Sequence, residues 1–286
     1  MAVIAFWSDE GKETGQTMSM VALSTYMAIE HNYRVLDISA NFKEETLEHS
    51  YWDMNKMDAL LKGISKDVKQ AGELRQSSFD SGVEGLVRVI NSNKTSNSIV
   101  SSYTKVVFKD HLDVLCAPKT QEYEEYRSIC KLYPDIIQAA SRDYDMVFVD
   151  VSRRLPEESS KAILDIADVI IVNITQRMEN LNKINELKSE SEFFKQSKIV
   201  YNIGRYDKFS KYNTKNVSRY IGEKREIYCV PYNTLFFESC SEGKVAELFL
   251  RIRKVDPEDR NATLIEELKR FSEGLLFKMR ELQVKV

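Results

Sequence analysis

Three short runs of unbroken apolar residues constrain this chain more than any other feature. They are Met146-Val147-Phe148-Val149 closed by Asp150-Val151, then Val169-Ile170-Ile171-Val172-Asn173-Ile174, then Lys198-Ile199-Val200-Tyr201-Asn202. A strand that is apolar at nearly every position is covered on both faces, which a mainly parallel sheet with helices above and below achieves. The intervening segments, Ser159 to Ala167 and Asn180 to Phe194, carry helical periodicity. The N-terminal end repeats the scheme. An apolar strand, Ala2 to Trp7, leads through the loop Ser8 to Gln16 into a helix with Met20, Leu23 and Met27 on one side, and Arg34 to Ser39 is a second strand. This unit predicts a right-handed crossover between parallel strands that are neighbours or near neighbours. Lys105–Phe108 and Leu112–Pro118 are strand-like around Lys109-Asp110-His111, and a helix from Glu122 to Ala140 is bent or restarted by Pro134. A last strand, Glu226 to Tyr232, precedes a helix from Thr234 to Arg251. The expected fold class is therefore α/β: a doubly wound, mainly parallel sheet flanked by helices.

Two regions stand apart. Asn41 to Asn97 is polar and charged, with helical patches at 57–61 and 83–90 separated by Gln76 to Gly82. Beyond Asp256-Pro257, the residues Leu264, Leu268, Phe271, Leu275, Met279 and Leu282 recur at helical spacing in a charged background. The expected organisation is one α/β domain over residues 1–256 and an amphipathic C-terminal helix over 257–286. That helix either docks on the domain or meets a partner, a second copy or a membrane surface.

Charge and cysteine usage exclude some classes. With 41 basic and 44 acidic residues, the net charge of −3 gives no global field for nucleic acid. The four cysteines show no C-x-x-C spacing and read as reduced core thiols, and no apolar run approaches the length of a membrane span. A cytoplasmic protein, or one held peripherally at the inner face of the cell membrane, is the expectation. The three histidines are scattered and no G-x-S-x-G element occurs. Lys208 to Lys215 interleaves basic and aromatic residues, which reads as an exposed loop or partner surface in preference to a nucleic-acid site.

The chemistry-bearing candidates lie at strand ends, where open α/β sheets bind ligands. Successive backbone N–H groups in the loop after the first strand, ahead of a helix, suit phosphate oxygens. In the pattern G-x-x-x-x-G-K-S/T the lysine reaches the terminal phosphates and the hydroxyl holds magnesium. Here Gly15 and Thr17 fit, whereas Gln16 occupies the lysine position and Glu10 that of the first glycine. Asp150 closes the most apolar strand, either as a magnesium-holding carboxylate or simply as a polar strand terminus. Asn202 either reads an adenine edge or caps a turn before Gly204, and Pro231-Tyr232 offers a surface for a base.

The order of these elements resembles the MinD/ParA superfamily of deviant Walker A ATPases. The resemblance rests on the first loop and helix, Asp150, Tyr-Asn-Ile-Gly-Arg at 201–205, Val-Pro-Tyr-Asn at 230–233 and Glu-Ser-Cys-Ser-Glu-Gly-Lys-Val at 238–245. It covers about residues 1–252, and within the superfamily the chain looks most like the TadZ/CpaE-type proteins of Flp (Tad) pilus assembly. The resemblance implies a P-loop NTPase-like fold and a nucleotide-sandwich homodimer. It also implies a positioning or scaffold role for a pilus or secretion machine, with an assembly ATPase or membrane components as partners. The implied nucleotide-binding residues are Gly11, Lys12, Glu13, Thr14, Gly15, Gln16, Thr17, Met18, Asn202, Arg205, Pro231 and Tyr232, with Thr17 and Asp150 for the metal.

The family pattern K-G-G-x-G-K-T falls on 11–17, so its signature lysine becomes Gly11 and its P-loop lysine Gln16, with Lys12 one position away. The family's catalytic Asp falls on Ser39, with Asn41 two residues on. Phosphoryl transfer depends on such charges, so the expectation is no catalytic residue and at best a very slow ATPase. ATP or ADP with magnesium is then a weak ligand, or no nucleotide binds at all. The alternative is an active ParA-type ATPase in DNA partition, or another P-loop enzyme.

Overall fold

The apolar runs become the centre of an eight-stranded sheet in a computed structural model that describes residues 1–10, 13–53, 82–92, 99–151 and 157–283. The strands are β1 (Ala2–Trp7), β2 (Val35–Ser39), β3 (Lys105–Phe108), β4 (Leu112–Leu115), β5 (Met146–Asp150), β6 (Val169–Ile174), β7 (Ile199–Tyr206) and β8 (Tyr228–Pro231). They lie in the order β3-β4-β2-β5-β1-β6-β7-β8, with every pair parallel except the β3–β4 hairpin at the edge. β5 inserts between β1 and β2, so these two strands are near neighbours. All five residues of β5 and all six of β6 are buried, which is what their unbroken apolar character requires.

Helices cover both faces. One side carries α1 (Gln16–Glu30), α2 (Thr46–Tyr51), α9 (Thr234–Glu242), α10 (Val245–Ile252) and α11 (Ala262–Gln283), packed through Met20, Leu23, Met27, Phe249 and Leu268. The other side carries α3 (Val83–Asn91), α4 (Tyr123–Cys130), α5 (Tyr133–Ala140), α6 (Glu157–Ile166), α7 (Met178–Glu190) and α8 (Thr214–Tyr220). The fold is thus the expected doubly wound α/β class with a long C-terminal helix. All four cysteines are free and buried. No helix among the described residues is long and apolar enough to cross a membrane.

The restart expected at Pro134 divides 122–140 into two helices, with the proline in the first turn of α5, where a missing N–H is tolerated. Other differences from expectation have local causes. The helix foreseen over Thr234–Arg251 is also two. Gly243 ends α9 at φ 70°, and a Cβ there would lie 2.2 Å from the Trp52 carbonyl carbon. The short helix α2 was not foreseen, and the helical patch expected at 57–61 lies outside the described residues.

The C-terminal helix lays its apolar stripe into the core. Leu264, Leu268, Phe271 and Leu275 are all buried, and Phe271 stacks on Tyr228 of β8 with ring centroids 4.8 Å apart. Lys198, just ahead of β7, donates to the Leu164 and Ala167 carbonyls at 2.8 and 3.2 Å, satisfying acceptors at the end of α6.

Candidate functional site

The loop after β1 and the N-terminus of α1 sit at the C-terminal edge of the sheet, beside the end of β5. Gly15 precedes α1 at φ 66°, and no side chain caps the helix. Gly204 of β7 passes directly beneath the loop: a Cβ on it would lie 2.0 Å from the Thr14 carbonyl oxygen. That contact requires glycine, and it fixes the loop against β7.

Gln16 does not turn toward the outside of the loop. Its amide nitrogen Nε2 donates inward, to Asp150 Oδ1 at 2.6 Å and to the carbonyls of Phe6 and Val151 at 3.0 Å each. Thr17 Oγ1 donates to Asp150 Oδ2 at 2.7 Å, and Asn41 Nδ2 reaches the same oxygen at 2.7 Å. Both oxygens of a carboxylate that is only 1% exposed are therefore engaged by neutral donors. Burial raises the Asp150 pKa above the usual carboxylate value, and the bonds from Thr17, Gln16 and Asn41 pull the other way. The segment after β2 that supplies Asn41 is itself pinned, since Tyr133 donates to the Ser39 carbonyl and Tyr126 to that of Ala40.

The loop's own sequence is acidic. Between Ser8 and Gln16 the sequence holds three carboxylates, Asp9, Glu10 and Glu13, and one lysine, Lys12. Two of these carboxylates are bound to cations on and next to α7: Glu13 to Arg177 just ahead of the helix, and Asp9 to Lys183 within it. A helix N-terminus favours anions by its dipole, and here two of the three carboxylates beside it are offset by Arg177 and Lys183.

The remaining candidates gather in part. Gly15, Met18, Arg205, Pro231 and Tyr232 line one crevice with Ser19, and it is closed to about 10 Å³. Arg205 takes a left-handed backbone at φ 53°, packs across Gly15, and lays its guanidinium 5.7 Å from the Phe237 ring centroid. Thr14 is buried under the loop and Glu13 is exposed, while Gly11 and Lys12 lie outside the described residues. Asn202 requires a correction, because β7 runs on to Tyr206 and so Asn202 is not a strand end. It is fully buried and donates to Asn173 Oδ1 at 2.8 Å.

Two residues had a role not read from the sequence. Asn41 enters the sequence reading only as the residue two beyond Ser39, and its bond to Asp150 comes from the structure alone. Asp37 lies fully buried in β2, accepting from Ser24 Oγ at 2.6 Å and Tyr51 OH at 3.3 Å. Burial pushes its pKa up to about 8; the Ser24 and Tyr51 bonds lower it and the charge of Asp150 raises it. The available signal was a carboxylate at a core-facing register position of an otherwise apolar strand.

A magnesium ion in a P-loop enzyme is held by the loop hydroxyl and the strand-end carboxylate, and here Thr17 and Asp150 are juxtaposed as that role needs. The phosphate half departs from the G-x-x-x-x-G-K-S/T pattern. The side chain at the lysine position is a neutral amide spent on Asp150, and the loop beside it is acidic. No group of three or more metal-ligating side chains occurs among the described residues.

Strand order, the loop–helix junction after β1 and the carboxylate at the end of β5 define the P-loop NTPase type of fold. Within it, the chain is similar to solved ParA and MinD structures. A ParA family ATPase from Chlorobium tepidum superposes with TM-score 0.64 at 17% identity, covering 92% of this chain and 96% of that one. The septum site-determining protein MinD from Pyrococcus horikoshii, complexed with Mg-ADP, gives 0.62 at 15% identity, covering 97% and 98%. A putative plasmid partition protein from Borrelia burgdorferi, bound to AMPPNP, gives 0.57 at 15% identity, covering 99% and 98%. No family model matches the chain, and no curated protein matches it in sequence.

Proposed function

We propose that this chain is a ParA/MinD-like positioning or scaffold protein whose nucleotide site is latched by its own side chains. The observation that carries the reading is the Gln16 amide bound to Asp150 at 2.6 Å, where an active P-loop enzyme presents a lysine to phosphate. A single preorganised charge or donor in such a site is worth about 3–4 kcal/mol, or about 10²–10³ in rate. Gly11, Gln16 and Ser39 stand at three such positions, so turnover is negligible and ATP or ADP binds weakly or not at all. The structures similar to this chain include proteins described as ParA, MinD and plasmid partition proteins, and they support a positioning role.

The finer assignment, to a pilus or secretion machine through a homodimer and an assembly ATPase, rests on the residue order at 201–205, 230–233 and 238–245. Two experiments test the reading. Titration with ATP and magnesium followed by a turnover assay is expected to give no tight binding and no hydrolysis above background. Deletion of the gene in its own cell is expected to abolish or misplace surface pili, and normal pili would reject the pathway assignment.

A further inference from the structure

A groove of about 460 Å³ adjoins the closed crevice and shares Arg205, Pro231, Tyr232 and Asn233 with it. One wall is the loop after β7, from Tyr206 to Phe209; the floor is Pro231-Tyr232 after β8; the far wall is the start of α11, with Arg260 and Thr263. We propose that this groove docks an acidic peptide segment of a partner protein, one that carries an aromatic side chain beside its carboxylates.

Charge complementarity carries the choice of occupant. Arg205, Lys208 and Arg260 face the groove, and among the described residues none of them is in an ion pair. Of the groove's two carboxylates, one is ion-paired and the other holds a backbone N–H. Glu267 is bound by Arg270 at 3.2 Å, and Asp207 accepts from the Phe209 N–H at 2.9 Å. Three cations stand against two carboxylates, one of them already paired with Arg270, and this positive excess attracts a ligand that brings carboxylates; the first turn of α11 adds the positive end of its dipole.

The aromatic part of the ligand follows from exposure. Phe209 is 87% and Tyr232 51% exposed, an unusual state for large rings on either side of one groove. Phe209 is presented by a built loop: Gln176 donates to the Asp207 and Tyr212 carbonyls at 3.0 and 2.9 Å and accepts from the Asp207 N–H at 2.8 Å. Lys208 stands 5.3 Å from the Phe209 ring centroid, so a cation and an open ring form a single contact surface. Interfaces commonly anchor an aromatic residue in such a place.

The test uses the full chain and a fluorescent peptide in which glutamate pairs alternate with tryptophan, read by anisotropy. The expected result is saturable binding that weakens with salt and drops at least tenfold in both Lys208→Glu and Arg260→Glu. Phe209→Ala is expected to weaken binding without changing the salt dependence. These side chains are exposed, and circular dichroism confirms that each variant is folded. Equal binding of a lysine–tryptophan peptide would overturn the proposal, as would indifference to all three substitutions. Capture of anionic vesicles or single-stranded DNA through these residues, without the peptide, would also overturn it. None of the three substituted residues belongs to the candidate nucleotide site, so failure here leaves the latched-site reading standing.

Discussion

Replacing Gln16 with leucine removes the donor while keeping a side chain of similar size. Asp150 Oδ1 then loses its bond from Gln16, whereas Oδ2 keeps Thr17 and Asn41. The Phe6 carbonyl still accepts from the Val151 N–H at 2.9 Å, so its loss is small, but the Val151 carbonyl gives up its Gln16 bond at 3.0 Å. A hydrogen bond to a buried charged group is worth about 1.5–3 kcal/mol, and a carbonyl left unsatisfied costs about 1–3 kcal/mol. The expected loss for Gln16→Leu is therefore about 3 kcal/mol. For a chain of this size the entropy of unfolding is about 0.6 kcal/mol/K, so the melting temperature falls by about 5 °C. Urea unfolding measures the free energy, and a cycle with Asp150→Asn isolates the pair, with a coupling of at least about 1 kcal/mol expected. A loss under about 0.5 kcal/mol, or a coupling near zero, would show that the Gln16 amide does not hold the carboxylate.

Other outcomes follow from the same geometry. Asp37 has a folded pKa raised to about 8, so the unfolded chain ionises first. Its stabilising contribution is full below the ordinary carboxylate pKa and is lost as pH rises toward 8, by about 4 kcal/mol at most by pH 7. Asp37→Asn should flatten the fall in urea midpoint over that window; a slope identical to wild type would place the effect elsewhere. Glu48, raised to about 7 by burial, and Asp150, also raised by burial, supply the slope that remains in the variant. Gly204→Ala drives a methyl into the Thr14 carbonyl and should cost about 3 kcal/mol, measured by thermal unfolding. Leu268→Ala should cost about 2–5 kcal/mol because the residue is fully buried beneath the sheet; a loss within about 0.5 kcal/mol would mean the helix contributes nothing to the core.

The sheet was legible because burial on two faces leaves a direct mark: no position of β5 before Asp150 is polar, and only Asn173 interrupts the apolar run of β6. Helix ends were less so. The break at Gly243 depends on how closely α9 approaches Trp52, a distance that no local pattern encodes. The site was readable as a set of positions and unreadable as a network. Gln16 was identified as standing where a cation is expected, but its inward turn depends on Asp150 lying 134 residues away in sequence. Asn202 was misplaced because strand length is fixed by pairing, and β7 pairs with β8 as far as Tyr206 and Pro231. The groove at Phe209 was foreshadowed only as a basic and aromatic stretch; its opposite wall comes from α11.

The central claim is that the phosphate loop is held by its own residues and has little left for nucleotide. Calorimetric titration of the full chain with ATP and magnesium addresses it most directly. No saturable heat is expected at nucleotide concentrations below about 1 mM, corresponding to a binding free energy weaker than about −4 kcal/mol. Micromolar, magnesium-dependent binding accompanied by steady release of phosphate would contradict it.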